Sequence, residues 1–273
     1  MIDLGSVFQK MAGLNSTPLN VTRSELRRRT ISNSLILVTL TNEGYLHYTR
    51  NLLTSLEKVG LGGQMLVFCI DNASCLALRS EGFLAYRVNY NNAASDFQEY
   101  HQGEFRAVVA TKFCVIHELL KLGFDVLFSD GDIVFLDNPV PQMCLNLKKA
   151  DLVIQNDDRH DKTSRNPFHI NLCTGFLLVR STPDTLQTFN PQNMQENDAC
   201  DQDYFNRIKN ESDSIFVLDR NLFPNGSWFL DRPGDDFEER KQHAQMIHSN
   251  WRIGGEKVTA MKEHGLWYAD INK

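Results

Sequence analysis

The sequence predicts an α/β protein with a mostly parallel central sheet flanked by helices. Three observations lead there. From Ser34 onward, short apolar runs of strand length alternate with amphipathic stretches at helical spacing. The order strand, helix, strand repeats, which is how parallel strands are joined and covered. The chain has 273 residues, 42% hydrophobic and 23% charged, enough to bury a real core and far from disordered or collagen-like composition.

The elements follow in order. Residues 1–30 are polar and end in Arg23-Ser24-Glu25-Leu26-Arg27-Arg28-Arg29 with no apolar period, so they read as a solvated N-terminal arm, with a stem or docking segment as the alternative, ahead of a single domain over 31–273. Leu35 to Leu40 reads as a buried strand. Tyr45, Tyr48, Leu52, Leu56 and Val59 recur at helical spacing up to the stop Gly60-Leu61-Gly62-Gly63. A strand over Met65 to Ile70, a short helix near Ala73 to Glu81, a strand over Leu84 to Val88 and an Asn-rich loop over 89–102 come next. Phe105, Val108, Val109, Phe113, Ile116, Leu119 and Leu120 mark one long amphipathic helix closed by Gly123. The strand Val126 to Phe128 leads directly into Asp130-Gly131-Asp132. Further strands are expected at Leu152 to Gln155, Phe176 to Arg180 and Ile215 to Leu218, and helices near Pro183 to Phe189 and Ala199 to Ile208.

Lys and Arg total 28 against 34 Asp and Glu, a formal charge of -6, which argues against nucleic acid as a partner. No apolar run approaches the roughly 20 residues needed to span a bilayer, and Met1 to Asn20 carries no readable secretory signal. The chain is therefore expected to be cytoplasmic, or a Golgi-lumen fragment lacking its anchor. Six scattered cysteines without CxxC pairs favour free buried thiols, while Asn-x-Ser/Thr triplets at Asn15, Asn20, Asn72, Asn210 and Asn225 keep a lumenal location open.

Chemistry concentrates in three places. Asp130-Gly131-Asp132 sets two carboxylates at the mouth of a strand, bracketed by Val126, Leu127 and Phe128 and by Ile133, Val134 and Phe135, so the acids are exposed only at the strand end, where they can converge on a hard divalent cation. An EF-hand is excluded, because Val134 and Phe135 stand where a further acid and a turn glycine are required. His248-Ser249-Asn250-Trp251, followed by Gly254, Gly255 and Lys257, offers a histidine to complete a metal site and a lysine for a diphosphate; a core histidine and a surface lysine are the plain alternative. Asp201-Gln202 opens a helix whose buried side is Tyr204, Phe205 and Ile208, and its plain alternative is an N-terminal cap.

Together these elements resemble the nucleotide-diphospho-sugar transferases of the GT-A (Rossmann-like) glycosyltransferase fold, specifically the retaining family that includes plant rhamnogalacturonan-II xylosyltransferases, extensin arabinosyltransferases and cytosolic galactosyltransferases. The resemblance runs from Leu35 to Trp267. Its most specific block is KFCVIHELLKLGFDVLFSDGDIVFLDNP, with the closing HSNWRIGGEK and the segment DQDYFN. Two departures stand out: Gly131 sits where a larger residue is common, and Cys173-Thr174-Gly175 replaces the usual Asn-Thr-Gly, leaving Asn171 as the substitute acceptor contact.

The resemblance implies a UDP-sugar donor (xylose, galactose or arabinose), a glycan or glycoprotein acceptor, and Mn²⁺, or alternatively Mg²⁺, held by Asp130, Asp132 and His248. It implies phosphate contacts from Arg106, Lys112 and Lys257, and donor contacts from Asp130, Gly131 and Gly254. The nucleoside falls at Thr39, Thr41, Asn42 and Tyr45. It implies transfer with retention, with Asp201 or Gln202 near the sugar to position it or to stabilise positive charge at its anomeric carbon. Acceptor contacts are expected from Asn171, Asn225, Trp228 and Trp251. Two rivals stay open: a haloacid-dehalogenase-like phosphatase using Asp130 and Asp132 with Gly234-Asp235-Asp236, and a sugar-nucleotide-binding pseudoenzyme. The phosphatase fold normally opens with its nucleophile strand, whereas about half of this chain precedes Asp130.

Overall fold

The structure, a computed structural model, describes residues 19–88, 105–162, 164, 166, 169–195, 198–211, 214–232, 234 and 236–269, with the backbone alone for 105–107. The Asn-rich loop expected over 89–102, the side chain of Arg106, Asp235 and residues 1–18 lie outside the described residues.

In chain order the elements are α1 (Arg23–Arg27), β1 (Leu35–Thr41), α2 (Leu46–Lys58), β2 (Met65–Cys69), α3 (Asn72–Ser80), β3 (Leu84–Arg87), α4 (Phe105–Lys121), β4 (Asp125–Ser129), β5 (Ile133–Phe135), α5 (Val140–Asn146), β6 (Leu152–Asn156), β7 (Leu172–Val179), α6 (Pro183–Thr188), α7 (Asp201–Ile208), β8 (Ile215–Val217), α8 (Gly226–Leu230), α9 (Phe237–His243), β9 (Met246–His248) and α10 (Gly254–Glu263). The strands run in the order β3-β2-β1-β4 in one part of the chain and β7-β6-β8 in another, and β5 pairs with β9. The pairs β1/β2, β1/β4, β2/β3 and β6/β8 are parallel, as a sheet built by helical crossovers requires. The chain forms two compact units, Met1–Leu46 with Gln64–Phe128 and Val179–Tyr204, and His47–Gly63 with Ser129–Leu178 and Phe205–Lys273.

In the first unit, β1 lies between β2 (Leu37 opposite Met65) and β4 (Leu35 opposite Asp125). The strand order therefore reverses between β1 and β4, the kind of switch point at whose carboxyl end ligands of open α/β sheets bind. Ile36, Leu37, Val38, Leu66, Val67, Phe68, Val126, Leu127 and Phe128 are buried, which explains why these strands are continuous apolar runs. Phe113 of α4 packs against Phe189 at 5.4 Å and edge-on to Tyr204 at 5.3 Å. Asp71 caps α3, accepting from the Ser74 amide at 2.7 Å, and its other oxygen accepts from the Glu43 amide at 2.7 Å.

The expectation of a solvated arm is corrected over its described part. Thr22 and Glu25 close a capping box on α1, and Leu19, Val21 and Leu26 are buried, so three apolar residues too sparse to show a period dock this segment.

In the second unit, α2 buries Tyr48, Leu52, Leu53 and Leu56, and its polar residues tie distant chain together. Ser55 Oγ accepts from the Phe135 amide at 3.0 Å, and Asn51 Nδ2 donates to the Leu266 carbonyl at 3.0 Å. Phe176 lies 6.0 Å from Phe135 and stacks at 5.8 Å on Phe223. All six cysteines are thiols rather than disulfides, with Cys144 alone partly exposed. Among the described residues no helix is long and apolar enough to cross a membrane.

Candidate active site

The second unit assembles the candidate site. β4 ends at Ser129, the chain turns through Asp130-Gly131-Asp132, and β5 begins at Ile133. The turn is fixed at both ends: the Asp130 amide donates to the Gly175 carbonyl of β7 at 2.7 Å, and the Ser249 amide donates to the Asp132 carbonyl at 3.1 Å. β5 runs antiparallel to β9 with Ile133 opposite His248, so a histidine 116 positions along the chain from Asp132 is delivered beside it by strand register. One ligand atom from each of Asp130, Asp132 and His248 lies within 4.8 Å of the others, a group able to hold a metal ion. His248 Nε2 is 3.2 Å from Asp132 Oδ1.

The donor set fits a hard divalent cation. Two carboxylates and one imidazole nitrogen suit Mn²⁺ or Mg²⁺ better than a thiolate-rich structural zinc site would. Space is kept by Gly175: a Cβ there would lie 2.3 Å from His248 Cε1 and 2.6 Å from Asp130 Oδ2, so only glycine leaves the triad room. Burial by itself would raise the Asp132 carboxyl, but the Lys257 ammonium and the His248 imidazole, each also hydrogen-bonded to it, hold it well below the usual carboxylate range.

Lys257, on α10, therefore does not stand free in solvent. It pairs with Asp132 Oδ2, its side chain 16% exposed, and its Nζ lies 5.7 Å from the Tyr48 ring centroid. Tyr48 in turn donates from its hydroxyl to the Gly254 carbonyl at 3.2 Å, holding the start of α10. Gly254 takes φ +53 there, and a Cβ on Gly131 would meet Thr49 Oγ1 at 3.4 Å.

In the first unit, Lys112 of α4 is buried and pairs with Asp201 at the start of α7, and its Nζ lies 5.0 Å from the Phe128 ring centroid. The lysine expected on phosphate and the carboxylate expected at the sugar are thus paired with each other. Gln202 is half-buried, its amide donating to Asp201 Oδ1 at 3.0 Å. Thr39, Thr41 and Asn42 are buried at the end of β1, and Asn42 accepts from the Tyr45 amide at 3.1 Å as a cap.

The acceptor expectations divide. Asn225 is fully buried, donates to the carbonyls of Asn156 at 3.0 Å and Asp158 at 2.9 Å, and accepts from the Trp228 amide at 2.8 Å. Its side-chain amide is committed to the fold. Two guanidinium groups lie over the Trp228 ring, Arg220 at 4.1 Å and Arg232 at 4.7 Å from its centroid. Asn171 is exposed, with its backbone amide donating to Asp158 Oδ1 at 3.1 Å. Trp251 is 47% exposed, and its indole donates to Asp157 Oδ1 at 3.0 Å.

Sequence reasoning missed Gln155, which accepts at Oε1 2.8 Å from His248 Nδ1, and Asp157, which anchors Trp251. The available signal was a polar pair closing an otherwise apolar strand.

This fold and donor set suit a sugar-nucleotide transferase. A sequence model of the nucleotide-diphospho-sugar transferases matches residues 62–261, and the chain belongs to that family. The phosphatase reading falls with that match. The chain is similar to the UDP-galactose:fucoside alpha-3-galactosyltransferase of Dictyostelium discoideum, 23% identical over 280 aligned positions that cover 85% of this chain and 43% of that one. It is also similar to the beta-arabinofuranosyltransferase RAY1 of Arabidopsis thaliana, 26% identical over 234 positions, covering 76% of this chain and 43% of that one. The chain thus spans less than half the length of these two relatives. Among solved structures, the bifunctional glycosyltransferase WbbM matches with a TM-score of 0.55 at 12% identity, covering 86% of this chain and 50% of that chain, a likeness of fold. The fold is that of the GT-A glycosyltransferases.

Proposed function

We propose that the protein transfers a sugar from a UDP-sugar, carrying xylose, galactose or arabinose, to a glycan or glycoprotein acceptor with retention of anomeric configuration. The observation that carries this reading is the convergence of Asp130, Asp132 and His248 around a space kept open by Gly175. Asp130, Asp132 and His248 would hold Mn²⁺ or Mg²⁺. When bound, such an ion supplies Lewis-acid neutralisation of the departing diphosphate. Lys257 brings a second positive charge to the same carboxylate, where it can exchange Asp132 for a phosphate oxygen. Gly254 lets the backbone entering α10 approach the donor.

Lys112 fixes the Asp201 carboxylate, and Asp201 with Gln202 positions the sugar and stabilises charge developing at its anomeric carbon. Tyr45, half-buried after β1, is the ring best suited to face the nucleoside, with Thr41 and Asn42 holding its loop. Trp251 offers an exposed aromatic face for stacking on an acceptor sugar, oriented by its bond to Asp157.

The test is a screen of UDP-sugars for Mn²⁺-dependent release of UDP, followed by proton NMR of the first glycoside formed. Release should stop in excess chelator and fall by orders of magnitude in Asp132→Ala, and an α-linked donor should give an α-linked product. Undiminished turnover in chelator would remove the metal from the reading, and a β product would remove retention.

A further inference from the structure

We propose that Gln155 is a positioning residue for the site's metal: it fixes which nitrogen of His248 carries a proton and so reserves Nε2 for the ion. The inference rests on the metal reading given above. It begins with burial. Gln155 is fully buried in β6, where all five strand residues are buried, and a polar side chain there has no water to satisfy it. Its three polar contacts are all within the protein. Nε2 donates to the carbonyls of Phe223 at 3.2 Å and Pro224 at 3.1 Å, and Oε1 faces His248 Nδ1 at 2.8 Å.

These contacts determine the orientation of the amide. Both carbonyls are pure acceptors, so the NH₂ group must face them, and a flipped amide would set two carbonyl oxygens against its own oxygen. Oε1 is therefore the atom toward His248, and an amide oxygen only accepts. His248 Nδ1 must carry the proton of that bond. A neutral imidazole has one N–H, so its lone pair falls on Nε2, the nitrogen beside the two carboxylates of the triad; without the ion, a second proton on Nε2 makes the 3.2 Å bond to Asp132 Oδ1, and the ion takes that proton's place. Metal-bound histidines are typically held this way, with the ring nitrogen away from the metal donating to a fixed acceptor.

The surroundings supply no equal substitute. Cys173 Sγ lies 3.6 Å from the same Nδ1, but a thiol sulfur is a weak acceptor and leaves the ring free to adopt the other tautomer. The His248 amide donates to the Pro224 carbonyl at 3.1 Å, so one segment fixes both the backbone of His248 and the amide that sets its ring. The carbonyls of Phe223 and Pro224 thus orient Gln155.

Two variants and two readouts test this. Gln155→Leu removes the acceptor. Gln155→Glu keeps an acceptor oxygen toward Nδ1 but sets its second oxygen against the Phe223 and Pro224 carbonyls, so it costs stability while preserving the tautomer. The first readout is nitrogen NMR of histidine-labelled, metal-free protein at a pH where imidazole is neutral. The second is calorimetric titration with Mn²⁺ alone. The expected result is a protonated His248 Nδ1 in the wild type and in Gln155→Glu, and its loss in Gln155→Leu. Mn²⁺ affinity should fall about 10- to 100-fold in Gln155→Leu and be largely kept in Gln155→Glu, even though both melt lower. A merely structural glutamine would make affinity follow melting temperature in both variants, which overturns the proposal. Equal Mn²⁺ affinity in the wild type and Gln155→Leu, with the Nδ1 proton kept in both, overturns it too and leaves the metal site standing. No Mn²⁺ binding by the wild-type protein overturns the metal site and, with it, the purpose assigned to Gln155. The wild-type spectrum needs no variant to fold: an unprotonated His248 Nδ1 there is decisive against the proposal.

Discussion

Gly175→Ala adds one methyl group at the most crowded point of the site. The new Cβ would meet His248 Cε1 at 2.3 Å, Asp130 Oδ2 at 2.6 Å and His248 Nε2 at 3.0 Å, whereas ordinary contact begins near 3.5 Å. Both ligands must therefore retreat by about 1 Å, and neither has a free direction. Turning His248 away breaks its 2.8 Å bond to Gln155, and β9 is held to β5 on its other side. Moving Asp130 disturbs a turn pinned by its amide to the Gly175 carbonyl itself at 2.7 Å. Overpacking of this kind costs about 1–3 kcal/mol of stability. A first ligand displaced by about 1 Å should cost roughly 100-fold or more in metal affinity, near 3 kcal/mol. Urea unfolding of the metal-free protein reads the first quantity and calorimetric titration with Mn²⁺ the second. A variant with wild-type unfolding midpoint and wild-type Mn²⁺ affinity would show that the triad is not packed against Gly175, and the assignment of this space to an ion would fail with it.

Lys112→Met should lower stability by about 3–5 kcal/mol in urea unfolding, since it leaves the buried Asp201 carboxylate without its partner, whereas Lys121→Met, from the exposed pair with Glu118, should change it by less than about 1 kcal/mol; equal effects would deny the burial of the first pair. Burial, and secondarily the Asp132 charge, raise the Tyr48 phenol to about 12. The folded state thus favours the protonated phenol, and that contribution, roughly 2–3 kcal/mol, is whole below about pH 10 and lost as pH rises toward 12. Tyr48→Phe should flatten this alkaline limb in stability curves, and an unchanged limb would refute the linkage. Lys257→Ala should weaken UDP binding and also lower the stability of the metal-free protein by about 2 kcal/mol, because Lys257 is the partner of Asp132; calorimetry showing intact UDP affinity would return the phosphate role to Arg106.

Long periodic elements were legible in the sequence because burial leaves a pattern. The spacing from Phe105 to Leu120 marked α4, observed over Phe105–Lys121, and the apolar runs marked β1, β2 and β4 to within a residue or two. Elements of five to seven residues such as α1, α5, α8 and α9 were not, because two turns of helix show too few apolar positions to fix a phase. β7 was expected only from Phe176, yet it begins at Leu172, because Cys173, Thr174 and Gly175 are small or polar and read as loop. Cys173 and Gly175 are the residues of the strand that lie against the site. The triad itself was readable, since carboxylates at a strand mouth and a late histidine are uncommon together. Its supporting contacts were not, because Gln155 and Gly175 act through position alone: one by the atom it turns toward a ring, the other by the atoms it lacks.

The same distinction separates two clusters that look alike in sequence. Asn225-Gly226-Ser227-Trp228 and Asn250-Trp251 each pair an asparagine with a tryptophan, and both were expected to meet an acceptor. They are in fact joined. Asn250 Oδ1 accepts from the Gly226 amide at 2.8 Å, and the Asn250 carbonyl comes so near that a Cβ on Gly226 would lie 1.9 Å from it. Asn250 Nδ2 donates to Asp157 Oδ1 at 2.7 Å, the oxygen that also receives the Trp251 indole. Trp251 takes φ +66, a conformation unfavourable for a bulky side chain and maintained only where neighbours over-determine it. The first cluster spends its polar and aromatic groups on building that clamp. What the clamp achieves is an indole held by its N–H with 47% of its surface exposed, which a packing role alone would not require.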